Sequence, residues 1–241
     1  MKNLFKKKEE QKEFEFSVPV DPNALLQIRD LSVEYRASGA VSKAVNGLNL
    51  TLQKGEALGI VGESGAGKTT TALSILQLLP DRVGKITGGE ILFHGENMAL
   101  KSEKELNAIR GKNISMVFAN PLTSLNPVFP VGHQIAMSLR AHEKITEKEA
   151  NERAAQLLET VGIARYRLND YPHQFSGGMR QRVGIAAALA SSPELLIADE
   201  PTTALDVTIQ AQILELMKDL QTQYDTSLIM ITHNLGIIAE L

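Results

Sequence analysis

The stretch ALGIVGESGAGKTT, residues 57–70, decides the reading of this 241-residue chain. A short apolar run ending at Val61 leads directly into Gly62-Glu63-Ser64-Gly65-Ala66-Gly67-Lys68-Thr69, which fits G-x-x-x-x-G-K-[ST]. Each part of that pattern has a chemical purpose. Glycines let the backbone curl so that successive N–H groups point at phosphate oxygens. A helix starting near Lys68, and reading as helix over Thr70–Leu79, aims the positive end of its dipole at the same anion. Lys68 reaches the β- and γ-phosphates of a nucleotide, and the Thr69 hydroxyl is placed to ligate Mg²⁺. Residues Gly62 to Thr70 are therefore the candidate cradle. A Gly-rich turn that merely contains Lys-Thr needs no strand before it and no helix after it, and this stretch has both.

Three further runs share the character of residues 57–62: ISMVF (114–118), LLIAD (195–199) and SLIMIT (227–232). Short and nearly all apolar, they read as strands buried on both faces, and the helical stretches between them favour a parallel α/β sheet. Ahead of the loop, Leu31, Val33 and Tyr35 alternate with polar residues, as do Leu48, Leu50 and Leu52. That period of two predicts two half-buried strands, with structure beginning near Ala24. A mostly helical insert covers roughly 120–175, and the helix after it extends this helical subdomain to about 190. Its clearest helix opens at Thr146 with Glu149 three residues on, a capping box. Ala150, Ala154, Leu157, Leu158 and Val161 supply one apolar face, and Gly162 takes the C′ position. No internal repeat and no low-complexity stretch is present.

Composition narrows the function classes. Hydrophobic residues make up 43% of the chain and charged ones 22%, which excludes a largely disordered protein. Twenty-five basic and 28 acidic residues leave −3, so no net basicity argues for nucleic acid. The absence of cysteine excludes a disulfide scaffold, a thiolate metal site and a cysteine nucleophile. No apolar run approaches the roughly 18 residues that span a bilayer. The start, MKNLFKKKEEQKEFEF, lacks the apolar core of a secretory signal. Residues 1–23 read as a flexible, solvated tail, since glutamates interleaved with lysines weaken a membrane-surface reading. Any service to a membrane comes from outside the lipid.

Two more stretches carry chemistry. The run 195–199 ends in Asp199-Glu200-Pro201, which delivers two carboxylates at a strand's C-terminal end, where open α/β sheets place ligands. Asp199 suits a magnesium role, and Glu200 can polarise an attacking water. Taken alone, such a pair is more often a solvated acidic turn; beside a phosphate loop that reading recedes. Ser176-Gly177-Gly178-Met179-Arg180-Gln181 precedes a helix over roughly 178–190 and makes a second anion site from N–H groups and the Ser176 hydroxyl. One chain does not need two such sites for one triphosphate. Two copies arranged head-to-tail use both, each lending its serine loop to the other's γ-phosphate.

At this point the sequence resembles the ATP-binding cassette (ABC) family, whose signature loop matches Ser176 to Gln181. The resemblance runs from about residue 25 to the end of the chain. It implies a P-loop NTPase core with a mainly parallel sheet, an N-terminal antiparallel β subdomain and an inserted helical subdomain, over residues 24–241. It also implies an adenine platform at Tyr35, 27 residues before Gly62, a D-loop at Ala204-Leu205-Asp206, and a switch histidine at His233. Strand packing for Tyr35, capping of a 207–221 helix by Asp206 and a structural role for His233 are the alternatives. The wording around these motifs is narrower than the family. NPLTSLNPVFPVGHQI (120–135), YPHQFSGGMRQRVGIAAALA (171–190) and DEPTTALDVTIQAQILELM (199–217) are similar to ATPase subunits of bacterial oligopeptide, dipeptide and nickel importers. The resemblance therefore implies ATP and Mg²⁺ as ligands and hydrolysis of ATP to ADP and phosphate. The partners it implies are a second ATPase subunit, homologous or identical, and two transmembrane permease subunits. An extracellular solute-binding protein delivers the solute without touching this chain. No nucleic acid is implied, and the chain's place is peripheral, on the cytoplasmic face of the membrane. ABC ATPases that act on DNA or the ribosome usually carry two cassettes or a long coiled coil, and neither is present.

Two departures stand out. The family has Gln directly after the Phe of strand 114–118, where this chain has Ala119. Alanine offers no oxygen to magnesium and no hydrogen bond to the lytic water. Impaired hydrolysis, a nucleotide-binding regulatory role or a different branch would each account for it. The chain also ends at Leu241, just past His233, where relatives continue, so the resemblance implies an incomplete core.

Overall fold

The period-two pattern ahead of the phosphate loop forms two long antiparallel strands, β1 (Ala24–Ala37) and β2 (Ala40–Gln53). The computed structural model describes residues 16–37, 39–120, 124–203 and 205–239. Residues 1–15 of the expected tail lie outside these. From Phe16 onward the segment is pinned along β1 instead: Gln27 Nε2 donates to the Pro19 carbonyl (3.0 Å), and Arg29 donates to Val18 O (2.9 Å) while lying 4.0 Å from the Phe16 ring centroid. β1 pairs on its other side with β4 (Gly84–Phe93), which carries the short β5 (Glu96–Asn97), giving the order β2-β1-β4-β5. Where the β1–β4 register slips, Asp30 turns to φ +49. Gly89 faces that bulge at φ +79, and a Cβ there would lie 2.4 Å from the Asp30 carbonyl oxygen, so only glycine fits.

The four apolar runs form a second, wholly parallel sheet in the order β3 (Ala57–Val61), β8 (Ser227–Thr232), β7 (Leu195–Asp199), β6 (Ile114–Val117). β7 and β8 are buried along their whole length. β3 departs from the expectation of burial on both faces. It is half-buried throughout, because it is an edge strand and no described strand pairs with its outer side. Alternate side chains of β7 and β8 feed two cores. Leu195, Ile197, Ile229 and Ile231 pack with the antiparallel sheet and with α1 (Lys68–Ile75). Leu196, Ala198, Leu228 and Met230 pack with the helical side. That side holds α3 (Val131–His142), α4 (Glu147–Thr160), α5 (Gly177–Ala188) and α6 (Val207–Tyr224). The short α2 (Glu103–Ile109) precedes β6, and α7 (Leu235–Ala239) follows β8.

Local signals explain the helix ends. α4 opens on the expected capping box, with Thr146 Oγ1 accepting from Glu149 N (3.2 Å) and Glu149 Oε2 accepting from Thr146 N (2.8 Å). Ala150, Ala154, Leu158 and Val161 are buried, and Gly162 closes the helix at φ +76. α1 stops short of Leu79 because Gln77 turns left-handed at φ +52. The Arg110 guanidinium takes the freed carbonyls, Leu76 O at 2.8 Å and Gln77 O at 2.7 Å. Among the described residues, no helix is long and apolar enough to cross a membrane.

Candidate nucleotide site

Sheet register assembles the site. Val61 of β3 lies opposite Thr232 of β8, and Ile231 lies opposite Asp199 of β7. Gly62, His233 and Glu200, each the next residue of its strand, therefore leave the sheet side by side at its C-terminal edge. A cleft of about 630 Å³ opens there, lined by Val61, Gly62, Glu63, Ser64, Glu200, His233 and Leu235. A cavity of about 700 Å³ between β2, β3 and α1 holds no carboxylate, so the chemistry belongs to the smaller cleft.

The loop is held by glycine geometry. Gly65 and Gly67 take φ +83 and +87, and a Cβ on Gly67 would lie 2.3 Å from the Ala44 carbonyl oxygen. No side chain caps α1 at Gly67, which leaves the helix's first N–H groups for an anion. Glu63, Ser64, Gly65, Ala66 and Thr69 are exposed, whereas Lys68 is only 8% exposed. Its Nζ donates to the carbonyls of Gly62 (2.6 Å) and Glu63 (2.8 Å) and lies 4.0 Å from Glu200 Oε1. These are weak partners for a buried ammonium, and phosphate oxygens reaching the loop would replace them.

Asp199 is buried, and its Oδ1 finds no hydrogen-bond partner. Burial pushes its carboxyl above the ordinary range; a hydrogen bond from Thr69 and the Lys68 charge oppose that shift, while Glu200 adds to it. A buried carboxylate with a free oxygen beside a threonine hydroxyl fits Mg²⁺, which takes one or two protein oxygens and completes its octahedron with phosphate and water. Among the described residues no group of three or more His, Asp and Glu gathers as a self-contained metal cage. Glu200 sits at φ +46, an uncommon backbone for a non-glycine residue. Its N–H donates to Ile231 O (2.9 Å), and its Oε2 accepts from Thr203 Oγ1 (3.0 Å) and lies 3.6 Å from His233 Nδ1. The sequence assigns Thr203 no role at the site, since a hydroxyl three residues after a carboxylate carries no pattern of its own.

The remaining candidates divide. Tyr35 is half-buried against Gly84, with its hydroxyl 3.3 Å from Thr70 Oγ1, so it borders the first turn of α1. Ser176 is exposed and caps α5, its Oγ accepting from Met179 N (3.3 Å). Gly177 and Gly178 are half-buried; a Cβ on Gly178 would lie 2.6 Å from Ile209 Cγ2. Gln181 is buried within α5, 1% exposed, with Nε2 unpaired. No residue of 176–181 lines the cleft that Glu200 and His233 line. Asp206 caps α6, accepting from Ile209 N (3.0 Å); Ala204 lies outside the described residues. Ala119 is half-buried two residues past Val117, which pairs with Ala198 of β7, so it leaves the sheet beside the Asp199–Glu200 pair.

A glycine loop between strand and helix, a buried cation within it and two carboxylates at the neighbouring strand end define an α/β nucleotide-binding protein of the phosphate-loop class. The chain belongs to the ABC transporter family, whose profile matches residues 45–203. It is 56% identical over 219 residues to the oligopeptide transport ATP-binding protein OppD of Bacillus subtilis, covering 90% of this chain and 61% of that protein. It is 50% identical over 219 residues to the dipeptide transport ATP-binding protein DppD of the same organism, covering 90% and 65%. The chain thus spans about three-fifths to two-thirds of the length of these curated relatives. Among solved structures, the dimeric post-hydrolysis state of the ATP-binding cassette MJ0796, bound to ADP and Pi, matches with a TM-score of 0.79 at 28% identity, covering 88% of this chain and 89% of that one.

Proposed function

We propose that residues 24–241, with a helical subdomain at about 120–190, form the ATP-binding and ATP-hydrolysing domain of a bacterial importer for peptides or nickel. The observation that carries this reading is the meeting of Lys68, the Thr69–Asp199 pair and the Glu200–His233 pair at one sheet edge. The relatives' part in oligopeptide and dipeptide transport supports the peptide class. Lys68 exchanges its loop carbonyls for β- and γ-phosphate oxygens, and the N–H groups opening α1 donate to the same oxygens. The Thr69 hydroxyl and Asp199 would hold Mg²⁺, which would supply charge neutralisation at those phosphates. The Glu200 carboxylate accepts a proton from water as its oxygen adds to the γ-phosphorus and the bond to ADP breaks. His233 is exposed beside Glu200 and donates to the γ-phosphate; Tyr35 carries the adenine.

Ser176 serves a second copy. Its oxygen accepts the Met179 N–H, which leaves its own hydrogen for a phosphate held by the partner's loop. Gly177 and Gly178 bring backbone N–H groups to that anion, Gln181 supports the helix behind them, and Asp206 meets the partner at the same interface. Phe118, Val128, Phe129 and Met137, all exposed around the segment between β6 and α3, offer an apolar face to two permease subunits. On this reading the chain is peripheral, on the cytoplasmic face, with the solute-binding protein in contact only with the permease and no nucleic acid involved.

Glu200→Gln tests the reading. Titration calorimetry should show ATP bound, phosphate release should be absent, and dimers should accumulate in Mg·ATP. Hydrolysis at the parent's rate overturns it, as does unchanged ATP affinity in Lys68→Ala. A hydrolysis-impaired or regulatory subunit is the second reading, favoured by Ala119 alone, and single-turnover phosphate release by the unsubstituted chain separates the two.

A further inference from the structure

Arg167 is not part of any motif, yet its guanidinium reaches both sides of Ser176. It stands in the first of two 3₁₀ turns, Arg165–Asn169 and Pro172–Gln174, that precede α5. Nη2 donates to the Gln174 carbonyl (3.0 Å), the cationic plane lies 4.2 Å from the Phe175 ring centroid, and Nη1 points at Met179 Sδ (3.5 Å). Nε donates to Asp170 Oδ2 (2.7 Å), which fixes the plane's orientation; Asp170 is the one carboxylate that contacts it among the described residues. Residues 174, 175 and 179 therefore hang on one rigid, planar group, with the Ser176–Gly178 loop strung between them. The turn itself is anchored to α3. The Asp170 carbonyl accepts from Val131 N (2.9 Å), and Leu168 packs so tightly on Gly132 that a Cβ there would lie 2.3 Å from Leu168 Cδ1.

We infer that Arg167 is the positioning residue for the Ser176 loop: it sets where the Ser176 hydroxyl and the amides behind it stand, and ties that pose to α3. The inference rests on the reading of a nucleotide site shared between two copies. Positioning matters there because a displacement of about 1 Å in a group that must meet a phosphate costs up to about a hundredfold. Nothing in the Lys68 cradle depends on Arg167, so a single chain's grip on ATP is a separate quantity.

The test uses the Glu200→Gln chain as parent, with Arg167→Ala and Arg167→Lys added singly. ATP affinity is read by titration calorimetry and ATP-driven dimerisation by sedimentation. Arg167→Ala is expected to keep ATP affinity within about twofold while weakening dimerisation at least about tenfold. Arg167→Lys keeps the charge beside Asp170 but has neither the flat face nor the fork, so it too dimerises more weakly than the parent. If Arg167→Ala loses ATP binding as well, the Lys variant decides on the same two readouts. A parent that dimerises while both variants dimerise equally well overturns this inference alone. A parent that stays monomeric in saturating Mg·ATP overturns the shared-site reading and this inference with it.

Discussion

Asp199→Asn separates what the proposed magnesium ligand costs the fold from what it does. Asp199 is 4% exposed, one of its oxygens has no partner, and burial raises its pKa above the ordinary 3.8. A raised folded-state pKa means that protonation favours the fold. The stability present below pH 3.8 is lost as pH rises through the folded value, so at neutral pH the ionised carboxylate weighs against the nucleotide-free protein. Asparagine keeps the shape and removes the charge. An unpaired buried polar atom costs about 1–3 kcal/mol when neutral and more when it belongs to an ion, and asparagine removes only that excess. Thr69 and Lys68 already offset part of that for Asp199. The expected gain is therefore about 1 kcal/mol, or roughly 2–4 °C in Tm for a chain of this size. Scanning calorimetry without nucleotide reads the difference at pH 7, and the gap should narrow toward about pH 4 as Asp199 takes up its proton. Mg·ATP inverts the order. A ligand at a hundred times its Kd stabilises the parent by about 2.7 kcal/mol, and the variant gains less for want of a metal ligand. A variant less stable than the parent at pH 7 without nucleotide would refute the reasoning, since the carboxylate would then be holding the fold together.

Three further outcomes are expected. Ala119→Gln, which adds an oxygen and an amide beside the Asp199–Glu200 pair, should raise turnover at least about fivefold with ATP affinity within about threefold; equal turnover in a phosphate-release assay points to another residue in that role. Gly67→Ala forces a Cβ to within 2.3 Å of the Ala44 carbonyl oxygen at φ +87. It should lose at least about 2 kcal/mol in urea unfolding, and a loss below that means that the loop relaxes elsewhere. Arg110→Ala removes the guanidinium from the last carbonyls of α1 and should cost about 2–4 kcal/mol by the same measurement; Arg110→Lys, with charge but no fork, should recover only part of it.

Legibility follows from how far apart the contacting groups lie in the chain. The residues proposed to meet phosphate and magnesium are consecutive, so 62–70 and 199–200 show that chemistry in plain spacing. That His233 ends up beside Glu200 depends on β8 lying between β3 and β7, an order that no local pattern encodes. The same blindness makes β3 look like a central strand, since an apolar run of five reads alike at an edge and in the middle. β4 and α2 escape the sequence reading for a related reason. Of β4, only Ile91-Leu92-Phe93 forms an apolar run, behind Gly88 and Gly89, and α2 buries a single residue, Leu106, after its Ser102–Glu105 capping box. Arg110 and Arg167 are invisible because a long side chain bonding distant carbonyls leaves no periodicity. Gly178 shows the converse. A glycine in the signature loop reads as room for an anion, but here its missing Cβ is filled by Ile209 Cγ2, which docks α5 onto the start of α6 just past Asp206. The same residue answers to packing within the chain and to an anion outside it. A larger side chain at 178 would displace the loop before any ligand arrived, so loss of function there would not by itself identify Gly178 as a phosphate contact.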